Sequence, residues 1–153
     1  MTPFDRARPL AMVGRGLVRR CPRCGGGHLF DGWFRLRDRC PGCGMKFERE
    51  EGFWLGGYVI NIAAGESALL ILLAVLIASL ANGSHVTVWP YAVVGIGIAV
   101  GGPLVTFPYS RTVWCAVYLI MKPLTPEEVV EAQASVAQAA LSAEPLPPGG
   151  GSP

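Results

Sequence analysis

Charge is what this sequence has least of. Only 16% of its 153 residues are Asp, Glu, Lys or Arg, against about 25% in a typical soluble domain. The deficit is local: residues 55–108 hold one charged residue, Glu66, and no Lys or Arg. That excludes a single soluble globule, which needs a charged surface along its whole length. Histidine is nearly missing. His28 and His85 are the two in the chain, and both read as solvated side chains. There is no Ser/His/Asp set, no H-E-x-x-H, no P-loop and no dinucleotide fingerprint, so no catalytic constellation is expected. A secretory signal is lacking as well. The longest apolar run before Cys21 is Leu10–Val13, too short for an h-region. No repeat of solenoid length is visible.

What is present is strongly segregated. Residues 1–54 carry 11 of the 13 basic and 6 of the 11 acidic residues, and residues 109–153 carry two basic and four acidic. The three segments therefore have net charges of +5, −1 and −2, which sum to the whole-chain +2. The division predicts a flexible basic arm over 1–13, a polar head over 14–54 and a two-helix membrane hairpin over 55–108. An interfacial helix over 109–122 and a weakly helical to disordered tail over 123–153 follow. A head of about 45 residues is too small to fold without a staple.

The staple is written in the cysteines. Cys21-Pro-Arg-Cys24-Gly and Cys40-Pro-Gly-Cys43-Gly are two copies of C-P-x-C-G, spaced as a zinc site. Two cysteines three positions apart on a tight turn can point at one ion, and Gly25 and Gly44 can adopt positive φ there. Four thiolates close a tetrahedral shell, so the expected zinc is structural. Iron suits the same ligands and is the lesser expectation. With zinc bound the net charge of residues 1–54 falls from +5 to about +3, and Arg20, Arg23 and Arg39 are placed to moderate the site. Between the knuckles, Asp31-Gly32 is a hairpin turn signal, and Phe34, Arg35, Leu36 and Arg37 alternate in period two. The result is a zinc-ribbon-like β-hairpin, with Phe30, Trp33 or Phe34, and Phe47 as its small core. Cys115 stands apart and reads as a small buried hydrophobe.

Spans are expected over about 57–81 and 86–107, each long enough for a hydrocarbon core of about 30 Å. Trp54, Tyr58, Trp89, Tyr91, Tyr109 and Trp114 fall at the boundaries, as interfacial aromatics do. Basic residues flank the hairpin on one side only, so both termini are expected in the cytoplasm. Gly97 and Gly101 form a G-x-x-x-G face, while Gly57, Asn61 and Gly65 repeat every four residues. Such faces let helices approach closely, within the hairpin or with a second copy of the chain. Glu66, inside the first span, has no basic partner in either span, and with Asn61 it is a candidate intramembrane polar contact. Pro108 and Arg111 argue against a third span, so Ser110–Met121 is expected to lie at the interface. Further on, Thr125, Pro126 and Glu128 spell a capping box.

The run RCPRCGGGHLFDGWFRLRDRCPGCGMKFEREEGFWLGGYVIN followed by two spans resembles the bacterial membrane-protein family known as domain of unknown function 983, over about residues 14–122. The resemblance implies an inner-membrane protein with no assigned catalytic residues. Family members are often encoded near terminal-oxidase assembly genes, which implies a role in respiratory-complex assembly.

The leading expectation is a non-enzymatic zinc-ribbon adaptor or assembly factor. Its partners would be membrane lipids and another membrane protein or complex. One alternative is nucleic-acid binding by Arg35, Arg37 and Arg39, which would otherwise face anionic lipid. Another is a redox or metal-transfer role for the CxxC pairs.

Overall fold

The computed structural model describes residues 8–83 and 87–143. His85, expected in the turn between the spans, lies outside them. Four helices and one small hairpin follow in order: α1 (Pro9–Leu17), β1 (Phe30–Asp31), β2 (Arg35–Leu36), α2 (Leu55–Ala81), α3 (Val88–Met121) and α4 (Pro126–Ala143). The strands pair antiparallel, Phe30 with Leu36 and Asp31 with Arg35, across a turn where Gly32 takes φ +80°. A small two-stranded hairpin near a cysteine cluster, with two long apolar helices, is the architecture expected from the sequence.

The flexible arm expected over 1–13 is corrected at its end. Pro9 opens α1, where its fixed φ suits the first helical position. α1 is anchored by Gly16, whose missing side chain lets the helix close on α3: a Cβ there would sit 2.9 Å from the Thr112 carbonyl oxygen. The Thr112 hydroxyl donates back to Gly16 O at 2.6 Å.

α2 and α3 are long and apolar enough to cross a membrane, with mean hydropathies of 2.2 and 1.7 in their most apolar windows. They pack against each other along their length. Asn61, 8% exposed, faces α3: its Nδ2 donates to Pro103 O at 3.3 Å and its Oδ1 accepts from the Thr106 hydroxyl. The small faces serve the hairpin only in part. Gly57 abuts Ser110 and Arg111 and Gly95 abuts Leu72, whereas Gly65, Gly97 and Gly101 meet nothing.

The separate interfacial helix over 109–122 is also corrected. α3 continues without a break through Pro103 and Pro108 to Met121. At 1.5 Å per residue its 34 residues reach about 51 Å, some 20 Å more than a hydrocarbon core. The excess is buried in the head, where Pro108, Ser110, Thr112, Cys115, Ala116 and Leu119 are covered. A proline removes one N–H and frees the carbonyl four residues earlier. For Pro108 that carbonyl belongs to Leu104, and the Trp33 indole N–H donates to it at 3.0 Å. At Pro108 the hairpin thus supplies a donor that the helix lacks.

The head core is built accordingly. Leu29, Leu36, Met45, Phe47 and Phe53 pack with Cys21 and Cys40 against Cys115 and Leu119 of α3. Phe47 is buried as expected. Phe30 is half-buried, while Trp33 and Phe34 are exposed, because the turn carries them out toward α3. Cys115 is a buried hydrophobe, and His28 is exposed.

Candidate metal centre

Each C-P-x-C-G copy folds in the same way. The N–H of Gly25 donates to Cys21 O and that of Gly44 to Cys40 O, both at 2.8 Å. The N–H groups of Cys21 and Cys40 donate to Gly26 O and Met45 O, both at 2.9 Å. Closing so tight a turn requires positive φ at its fifth residue, and Gly25 and Gly44 supply +76° and +69°. The hairpin and the Arg39–Lys46 bridge then bring the two knuckles face to face.

The four sulfurs of Cys21, Cys24, Cys40 and Cys43 lie within 4.8 Å of one another. Cys21 Sγ is 3.8 Å from Cys43 Sγ, and Cys24 Sγ is 3.7 Å from Cys40 Sγ. A tetrahedron with Zn–S bonds of about 2.3 Å has an edge of about 3.8 Å. The quartet therefore fits a four-coordinate thiophilic ion, and the same donor set suits iron. Cys21 and Cys40 are buried and Cys24 and Cys43 are half-buried. Hydrogen bonds to Cys40 and Cys43, then burial, push the Cys21 thiol far up. Hydrogen bonds from Cys21 and then Cys43 hold the Cys40 thiol down to about 2.

Basic groups border the site. At the first knuckle it is Arg15 of α1, donating to Pro22 O at 3.2 Å and to Arg23 O at 3.0 Å. At the second it is Arg39, donating to Gly44 O at 3.4 Å. Arg39 also pairs with Glu131 of α4, and Arg37 pairs with Asp31 at 2.7 Å. Of the expected row Arg35, Arg37 and Arg39, two are thus engaged within the chain and Arg35 is exposed. Glu66 is exposed on α2, apart from Asn61, which is turned inward. Ser67 gives its hydroxyl to Ala63 O at 2.6 Å.

The tail, expected to be weakly helical to disordered, is from Pro126 to Ala143 a helix docked on the second knuckle. The capping box forms: Thr125 N–H donates to Glu128 Oε2 at 2.8 Å, and Glu128 N–H to Thr125 Oγ1 at 3.3 Å. Ala132 is fully buried over Gly44. Arg49, with only 8% of its side chain exposed, clamps the junction. It donates to both Glu128 oxygens at 2.7 and 2.6 Å, and to the carbonyls of Lys122 and Pro123. The sequence signal for this docking is the acidic first turn, Glu127 and Glu128, opposite a basic head.

Fold and site define a class: a four-cysteine head assembled around the end of a two-helix apolar hairpin. Within that class, the chain belongs to the protein family of unknown function DUF983, which matches residues 30–119. The match runs from the hairpin through α3 and includes Cys40 and Cys43 but not Cys21, Cys24 or α4. No curated protein and no solved structure matches the chain.

Proposed function

We propose that the chain is an inner-membrane zinc-ribbon adaptor, an assembly factor for another membrane complex rather than an enzyme. Cys21, Cys24, Cys40 and Cys43 would hold one zinc ion, whose contribution is to cross-link two knuckles that have little core of their own. The observation that carries the reading is the sulfur quartet, with edges matching tetrahedral zinc, packed onto the end of α3. A respiratory oxidase is the complex favoured by the family resemblance. Nucleic acid is disfavoured by the internal ion pairs of Arg37 and Arg39. The partner contact within the membrane would be Glu66, a costly group to leave facing lipid.

The test is zinc content per chain combined with crosslinking pull-down from native membranes. Wild type is expected to carry one zinc, and Cys40→Ser none, with hydrogen-exchange protection lost over residues 29–47. Glu66→Leu should insert normally and recover less partner. A Cys40→Ser head that stays protected without metal would falsify the zinc assignment. Equal recovery with Glu66→Leu would remove that residue from the contact.

A further inference from the structure

The ends of α2 and α3 are ringed by side chains that the metal site does not use. Trp33 and Phe34, at the hairpin turn, are 43% and 50% exposed. They do not face away from the apolar helices. Trp33 is hydrogen-bonded to Leu104 O, and the Phe34 ring meets the Phe107 ring edge-on at 5.6 Å. Leu104 and Tyr58, on the same rim, are exposed as well. The turn is therefore continuous with the lateral apolar surface of the two helices.

Two arginines lie among these rings. The Arg19 guanidinium stands 4.6 Å from the Phe30 ring and 4.9 Å from the Trp33 ring. The Arg111 guanidinium stands 4.5 Å from Trp54 and 4.6 Å from Phe107. Among the described residues neither has a carboxylate partner, whereas Arg37, Arg39, Arg49 and Lys122 each have one. Arg19 also occupies a strained position. Its φ is +57°, and the bond from Arg20 N–H to Arg15 O closes a Schellman-type helix end around it. Glycine is the usual residue there. The backbone would be more relaxed without a side chain, yet it holds a cation against the hairpin.

We propose that this collar seats anionic phospholipid: Trp33 and Phe34 enter the acyl-chain boundary, and Arg19 and Arg111 bind lipid phosphate. The proposal rests on the reading of α2 and α3 as membrane spans. Rings with an apolar body and one polar edge settle at that depth. Arginines lying along them present their charge to the headgroups, and a planar guanidinium matches phosphate with paired donors. The lipid surface, not a protein groove, is the committed occupant, because the exposed rings run without interruption into the lateral face of the helices.

The test places a photo-crosslinking benzoylphenylalanine at Phe34 in the full chain. The protein is reconstituted in vesicles of mixed phosphatidylcholine and phosphatidylglycerol, and adducts are identified by mass spectrometry. Leu73, exposed midway along α2, carries the same probe as the reference. Lipid adducts are expected at both positions, with phosphatidylglycerol enriched at Phe34 over Leu73. Arg19→Gln and Arg111→Gln should each lower that enrichment, up to about five-fold per charge removed. Unchanged zinc content in the variants shows that the head is intact. If a variant loses zinc, the Phe34 adduct in the otherwise wild-type chain decides the matter. Adducts at Leu73 but not Phe34 overturn the collar while leaving the spans in place. Absence at both positions overturns the spans as well. A Phe34 adduct to a second copy of the chain, or enrichment that both Gln variants leave unchanged, also overturns the proposal.

Discussion

At Gly44 the backbone takes φ +69°, and a Cβ would collide with the carbonyl oxygen of Ala132. The knuckle needs a residue free to turn left-handed, and α4 needs a residue without a side chain. Both demands meet at one position. Gly44→Ala is therefore expected to lift α4 from the head and to cost about 1–3 kcal/mol of stability, from backbone strain alone. Gly97→Ala, with open space around it and an ordinary helical position, should be nearly silent. Thermal unfolding of the two variants in the same detergent makes the comparison. Glu128 gives the same docking a pH dependence. Its partial burial opposes its charge, but Arg49 and the Thr125 N–H outweigh that and hold its carboxyl below the usual range. The contribution is complete above an ordinary glutamate value of about 4.3 and is lost as pH falls through the lowered folded value. Acid also protonates the cysteines, so the informative measurement is a difference. Hydrogen-exchange protection over 126–143 should fall off in acid more steeply in wild type than in Glu128→Gln, which starts with α4 less protected.

α3 is the element on which sequence and structure part company. A proline inside a helix of a soluble protein is a strong stop signal, because a carbonyl loses its partner. Here the partner for Leu104 O is an indole 71 residues earlier in the chain. The arrangement predicts coupling between distant positions. Trp33→Phe keeps a ring and removes the donor, at an expected cost of about 1 kcal/mol. In a Pro108→Ala background the helix can supply its own N–H, so the same change should cost less. A double-mutant cycle on unfolding free energy reads the difference directly. Full additivity would show that Trp33 does not serve the Pro108 gap. The same element explains what was legible beforehand. The knuckles, the hairpin turn and the α4 capping box could be read because each is complete within a few neighbouring residues. The apolar helices could be read because their composition is uniform. The seat of α4 on Gly44 could not: Ala132 and Ser135 are unremarkable small residues until their partner is known. Arg15 was missed for a similar reason, since α1 places it over the first knuckle from outside the cysteine motif. Arg35, Arg37 and Arg39 looked like a surface row because alternation says nothing about Asp31 and Glu131 lying in reach.

Across the whole molecule, the uneven distribution of basic residues makes a prediction about sidedness. Residues 1–54 carry eleven, and the described end of the turn between α2 and α3, Asn82-Gly83, carries none. The positive-inside rule then puts α4 and the head on the cytoplasmic side, with that turn opposite. A cysteine introduced at Asn82 should react with an impermeant maleimide in intact cells. One introduced at Ser142 should react only after the membrane is opened. Labelling at Ser142 in intact cells would invert the arrangement. The continuity of α3 has a mechanical corollary. Because the helix runs unbroken from Val88 to Met121, the head has no swivel of its own relative to that rod. One extra residue inserted between Leu104 and Thr112 would advance the lower segment by about 1.5 Å and rotate it by about 100°. Trp33 would swing off its carbonyl while the knuckles were carried along intact. The bearing of the metal centre is thus indexed to the rotational phase of a single helix, and any partner that twists α3 turns the centre with it.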